Sequence, residues 1–371
     1  MPLVQRLRSS DNGPVSYTAL GADDLPIWPI DDFLSHLTAR RSSPNTVRGY
    51  AHDLADFFAW LDQRGRDFRT LTLEQLGEFF EWLRKPPATR VPGVFVLPTS
   101  ESALETSTLS RKRAALGSFY RFHSRRDASV PALLGDPVGR RPTGRYVPLL
   151  AHTHRRGIDP DGYSPIALKP VRKVSRTLDT GEIRRLLDAC RRARDRFLIT
   201  LLNESGLRLG EALGLRHGDL RLRAGEVHVV PRESNVNSAR VKGLKARTVP
   251  IGPAVLDAYA DYMEREYGTL DSDYVFVNLF RSPHGAPMTA DSVKDLSRRL
   301  RRHSGVAHYS PHALRHTYAT RLLRAKVPVE VVSELLGHAS VQTTIDTYAH
   351  LTVEDHRRVL VEAGVMNGEG R

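Results

Sequence analysis

Residues 310–350 read SPHALRHTYATRLLRAKVPVEVVSELLGHASVQTTIDTYAH. Ser310-Pro311 is a helix start, after which His312, Arg315, His316 and Ala319 fall at i, i+3, i+4 and i+7, on one face. A second helix spans 328–336, with Gly337 placed as its C-terminal stop and His338 just beyond. A third, 340–349, sets Val341, Ile345 and Tyr348 at i, i+4 and i+7, so Tyr348 lies on the apolar side. A guanidinium presents a planar fork of donors to two phosphate oxygens, and imidazoles add a donor or carry a proton. Each residue also has a plainer reading. Alone, His338 reads as a buried hydrogen-bonded histidine and Tyr348 as a core tyrosine. His312 and His316 have the spacing of a zinc pair, but the glutamate of HExxH and a third ligand nearby are missing.

A phosphoryl-transfer site needs further positive charge, because the transition state spreads negative charge over the non-bridging oxygens. Arg208 supplies it in the stretch GLRLGEALGLRHGDL (206–220), following a glycine turn, with Glu211 one helical turn on to brace it. Lysine is scarce here: between Lys173 and Lys294 only Lys242 and Lys245 occur, both at a hairpin turn around Gly243-Leu244. Either can give up a proton once its pKa is lowered, which suits a general acid for a leaving alkoxide. The sequence has no GxxxxGK[ST] loop and no compact acidic cluster of the two-metal nuclease kind. Strand cleavage then falls to a protein nucleophile. Tyr348 attacking phosphorus would keep the bond energy as a phosphotyrosine, so rejoining needs neither ATP nor metal.

The totals agree with a polyanionic partner. Over 371 residues, 55 Lys and Arg stand against 42 Asp and Glu, a formal charge of +13, which favours nucleic acid first and an anionic membrane second. The single cysteine, Cys190, excludes an internal disulfide and suits a reducing, cytoplasmic setting. The N-terminal MPLVQRLRSSDNG has no apolar core of signal-peptide length, and the run Phe197–Leu202 is too short to cross a bilayer.

In chain order, residues 1–27 read as a flexible N-terminal arm. Residues 28–134 carry four helical patterns, with the stripe Val47, Tyr50, Leu54, Phe57, Phe58 and Leu61 in the second. The fourth, TSTLSRKRAALGSFYRFHSRR, turns Leu109, Ala115, Leu116, Phe119 and Phe122 inward. Its other face holds Arg111, Lys112, Arg113 and Arg121, and no acid three or four residues away neutralises them. That face is a candidate phosphate contact. Residues 135–176 form a basic linker rich in Gly, Pro, Arg and His, in which His152 and His154 lack the further ligands of a metal site. From 177 to 371 helices enclose short strands at Glu226–Val230, Arg240–Lys242, Ala246–Ile251 and Tyr274–Asn278, and a terminal helix falls near 353–362. The fold is expected to be mostly α with a small antiparallel β-sheet.

Four stretches, GLRLGEALGLRHGDL (206–220), RVKGLKARTVPI (240–251), HALRHTYATRLL (312–323) and LLGHASVQTTIDTYAH (335–350), resemble in order and spacing the tyrosine recombinases of the phage and transposon integrase family. SPNTVRGYAHDLADFFAWL and TLSRKRAALGSFYRFH resemble that family's helical core-binding domain. The resemblance implies a helical-bundle core DNA-binding domain followed by an α+β catalytic domain. It implies that Arg208 and Arg315 bind the scissile phosphate and that Lys242 protonates the leaving 5′ oxygen. His312 and His338 match the HxxRH and LGH positions, Tyr348 the nucleophile, Glu211 a supporting acid and His316 a structural histidine. It implies a site-specific recombinase or integrase on double-stranded DNA that forms a 3′-phosphotyrosyl intermediate and a Holliday junction, acts as a homotetramer on paired sites and uses no cofactor. A type IB-like topoisomerase and a non-catalytic DNA-binding protein are the alternatives.

Overall fold

The computed structural model describes residues 2–7, 16–86, 104–131, 133–134, 176–232, 235–237, 239, 246–280 and 282–348. The chain divides into two compact units, Met1–Arg172 and Lys173–Arg371. All of the expected linker at 135–176 except Arg176, the His152/His154 pair, the strand at 240–242, the lysines Lys242 and Lys245, and the helix near 353–362 lie outside the described residues.

The first unit holds β1 (Leu3–Leu7), β2 (Ser16–Leu20), α1 (Trp28–Ala39), α2 (Pro44–Asp62), α3 (Leu73–Arg84) and α4 (Thr106–Ser124). Local chemistry sets the helix starts. Ser43 Oγ accepts the Thr46 N–H at 3.1 Å ahead of Pro44, and Thr72 and Gln75 form a reciprocal capping box at α3. Phe33, Phe57, Trp60, Phe79, Phe119 and Tyr120 bury completely to make an aromatic core. Within the expected flexible arm, the described residues include a paired ladder. β1 and β2 pair antiparallel with Leu3 opposite Leu20 and Leu7 opposite Ser16, and Ala19 joins the core. Backbone hydrogen bonds make this ladder while Leu3 and Leu7 stay exposed, so it leaves no apolar alternation to read.

The basic face of α4 is also corrected. Lys112 is buried, with Nζ 3.1 Å from Asp53 and 2.5 Å from Asp56, and Arg111 pairs with Asp53 as well. The neutralising acids come from α2, nearly sixty residues away in sequence, so a search at helical spacing along α4 misses them. Arg113 is half-buried, and Arg121 lines a cleft floored by Phe33 and Phe122.

The second unit contains α5 (Thr180–Asp188), α6 (Ala193–Ser205), α7 (Leu209–Leu213), β3 (Leu220–Arg221), β4 (Glu226–Val229), β5 (Arg247–Pro250), α8 (Pro253–Tyr262), α9 (Ala290–Ser304), α10 (Pro311–Arg324), α11 (Val329–Leu336) and α12 (Val341–Tyr348). The strands form an antiparallel sheet in the order β3-β4-β5, with Val227 opposite Val249 and Val229 opposite Arg247. The strand expected at 274–278 reduces to isolated bridges, Arg216 with Tyr274 and Val277 with Pro287. Its apolar residues bury into the main core, where Phe276 stacks on Phe197 at 5.2 Å. A smaller apolar cluster joins α10, α11 and α12 through Tyr318, Ala319, Val332, Leu336 and Tyr348. Among the described residues no helix is long and apolar enough to cross a membrane.

Candidate active site

Two left-handed glycines bring the site's segments together. α6 ends at Gly206 with φ +62°, and a Cβ there would sit 2.3 Å from the Tyr318 ring. α11 ends at Gly337, also φ +62°, where a Cβ would lie 2.7 Å from a nitrogen of Arg247. Both positions need glycine for conformation and for space.

The end of α11 is the hub. Its Ser333 and Glu334 carbonyls accept the N–H groups of His338 and Gly337. The next three carbonyls in succession each accept from a different arginine. Arg247 Nε donates to Leu335 O at 2.8 Å, Arg315 Nη2 to Leu336 O at 2.6 Å, and Arg208 Nη2 to Gly337 O at 3.0 Å. These carbonyls form the negative end of the helix dipole, where cations are favoured. Arg315 also donates to Gly206 O at 2.7 Å, tying α10 to the turn that carries Arg208.

One carboxylate serves this group. The Glu211 side chain is fully buried; Oε1 accepts from Arg208 Nη1 at 2.9 Å and Arg247 Nη1 at 3.1 Å. Oε2 accepts from the Arg208 backbone N–H at 2.8 Å and Arg247 Nη2 at 2.7 Å. Burial alone would raise its pKa, but Arg247 and then Arg208 more than offset this and hold it below the usual carboxylate range. Three guanidiniums around one carboxylate leave two positive charges at the pocket, which suits a phosphodiester. Burial, then Arg208, pushes Arg315 down to about 9, so it stays protonated at neutral pH.

The histidines sit where these charges act. Burial, then Arg315, Arg208 and Arg247, drives His338 down to about 4, with Glu211 opposing. His312 is lowered by burial, Arg315 and Arg208. Both rings are neutral near pH 7. His312 Nε2 and His316 Nε2 lie 2.9 Å apart, and His316 packs edge-on to Tyr348 with centroids 5.5 Å apart. The pair therefore turns towards itself. Among the described residues no group of three or more His, Cys, Asp or Glu has metal-ligand geometry.

Tyr348, the last residue of α12, is buried. Burial pushes its phenol up to about 12, with Arg315 pulling the other way. The expected face of Val341, Ile345 and Tyr348 is replaced by Thr344 and Tyr348, and Ile345 is exposed. The reason is polar: Thr344 Oγ1 and His338 Nδ1 share a 2.7 Å hydrogen bond that turns this side of α12 towards the site. Arg208, His312, Arg315, His338 and Tyr348 thus gather around the α11 end, whereas Lys242 lies outside the described residues. The residue missed from sequence is Arg247. Its signal was the alternation of β5, in which Arg247 shares the inward side with buried Val249 between outward Thr248 and Pro250.

Two family models match the chain: the phage integrase family over residues 176–355 and the phage integrase N-terminal SAM-like domain over 30–127. Transposase A from transposon Tn554 of Staphylococcus aureus is 33% identical over 353 residues, covering 95% of each chain. The chain belongs to the phage integrase family. Tyrosine recombinase XerC of Halalkalibacterium halodurans is 30% identical over 342 residues, 89% of this chain and 95% of that one. Membership makes this integrase-family protein a tyrosine-type site-specific recombinase. Solved structures share its fold. The Tn1549 transposon integrase in complex with transposon right end DNA has a TM-score of 0.60 at 17% identity, covering 91% of this chain and 99% of that one. XerH site-specific recombinase, bound to a palindromic difH substrate in a post-cleavage complex, has a TM-score of 0.57 at 21% identity, covering 88% and 81%.

Proposed function

We propose that this recombinase cuts and rejoins double-stranded DNA through a 3′-phosphotyrosyl intermediate at Tyr348. The observation that carries the reading is the α11 end, where Arg208, Arg315, His338 and the helix of Tyr348 are bonded into one electropositive site. In the cleavage step the Tyr348 oxygen bonds to phosphorus, the P–O5′ bond breaks, and the strand leaves with a free 5′-hydroxyl. Lys242 delivers the proton to that 5′ oxygen, and the neutral His312 accepts the phenolic proton. Arg208 and Arg315 hold the non-bridging oxygens. With Nδ1 engaged by Thr344, His338 has Nε2 left for the same phosphate.

The phosphotyrosyl bond keeps the energy of the bond it replaces, so a 5′-hydroxyl from a second duplex reverses the step without ATP. Cutting one strand of each duplex and then the other passes through a Holliday junction, which calls for four active sites and hence a homotetramer on paired sites. The test is a nicked suicide duplex, selected by the protein from a random DNA library. The wild-type chain is expected to form a covalent adduct that maps to Tyr348, and Tyr348→Phe to bind the duplex without forming one. An adduct still trapped by Tyr348→Phe would overturn the assignment.

A further inference from the structure

Arg247 differs from Arg208 at the α11 end in how it is used. Its side chain is 7% exposed against 24% for Arg208. All three of its guanidinium nitrogens bond within the protein, Nε to Leu335 O and the two Nη atoms to the two Glu211 oxygens. The planar fork spans both carboxylate oxygens at once, a geometry a lysine cannot reproduce. A carboxylate buried this fully is strongly unfavourable unless paired.

We propose that Arg247 is a positioning residue for strand cleavage: it locks the Glu211 carboxylate and the Leu335 carbonyl in register, which fixes Arg208 against Glu211 and fixes the turn that carries His338. The proposal rests on the phosphotyrosyl reading above. Arg247 touches neither DNA nor the reacting atoms in this scheme. Its hydrogen bonds run to Glu211 and Leu335, and its charge also reaches His338. The absent Cβ of Gly337 is what lets the guanidinium lie against the turn, so strand β5 and the α11 end are fitted to one another at this point.

The test uses the full chain on the selected suicide duplex, with DNA affinity and adduct-formation rate measured separately. Arg247→Gln is expected to bind DNA within about threefold of wild type and to form adduct about 100-fold more slowly, the scale of a misplaced catalytic group. Arg247→Lys, which restores charge without the fork, is expected to recover part of that loss. The double variant Glu211→Gln/Arg247→Gln decides whether the effect runs through Glu211. It is expected to be no slower than Arg247→Gln alone, since the unpaired carboxylate is gone, whereas independent contributions would multiply. Wild-type cleavage by Arg247→Gln, equal loss of binding and rate, or multiplicative single effects would each overturn the proposal. Failure of the wild-type chain to form any Tyr348 adduct would instead remove the reading beneath it.

Discussion

His338 shows how one side chain reports the charge around it. In an unfolded chain its imidazole titrates near 6.5, about the ordinary histidine value. In the folded site burial and three arginines bring it to about 4. Between these values the unfolded chain binds a proton that the folded chain refuses, so acid favours unfolding. Its contribution is intact above pH ~6.5 and is lost as pH falls towards about 4. His338→Asn, which cannot titrate, is therefore expected to lose less melting temperature between pH 7 and pH 5 than wild type; equal slopes would show that the ring is not held neutral. The same charges leave His312 and His338 neutral near pH 7, and burial keeps the Tyr348 phenol protonated there.

Among the elements, the end of α11 has the most to lose from a small change. Gly337 combines a left-handed backbone with a close approach to Arg247. Gly337→Ala is expected to destabilise the chain by about 2 kcal/mol, within the range of strained non-glycine positions, and to cut adduct formation more than DNA affinity. Thermal unfolding and suicide-substrate kinetics on one preparation check both. The helices themselves were legible in the sequence, because Ser310-Pro311, Gly337 and the stripes of α2 and α10 are local signals. The positions of Arg208, Arg315 and Tyr348 as site candidates were legible too. Two features were not, because their partners are remote in sequence: Lys112 finds Asp53 and Arg247 finds Glu211. A third, Thr344 on His338, is local but crosses the turn at Gly337, which a helical period does not encode. The β1–β2 ladder escaped as well, since its exposed Leu3 and Leu7 hide the alternation while Ala19, Val4 and Tyr17 pack on the core.

At the scale of the whole molecule, the formal charge of +13 matters through where it is free to act. Lysines and arginines that neutralise phosphates release counterions, and log Kobs falls with log salt at a slope of about −0.9 per phosphate contacted. A cation already compensated inside the fold contributes nothing to that slope. Lys112 is such a cation, buried between Asp53 and Asp56, although it lies in the most basic stretch of the first unit. Lys112→Met should therefore leave the salt slope of duplex binding unchanged while lowering thermal stability, because it strips a buried carboxylate of a partner. Wild-type binding should itself be steep in salt, weakening by about three orders of magnitude or more between 50 and 200 mM if six or more phosphates are engaged. Fluorescence anisotropy on a fixed duplex across that range, with melting curves for both proteins, measures the two effects together. A slope shallower by about one in Lys112→Met, with its stability intact, would mean that α4 presents this lysine to DNA and that the ion pairs with α2 open on binding.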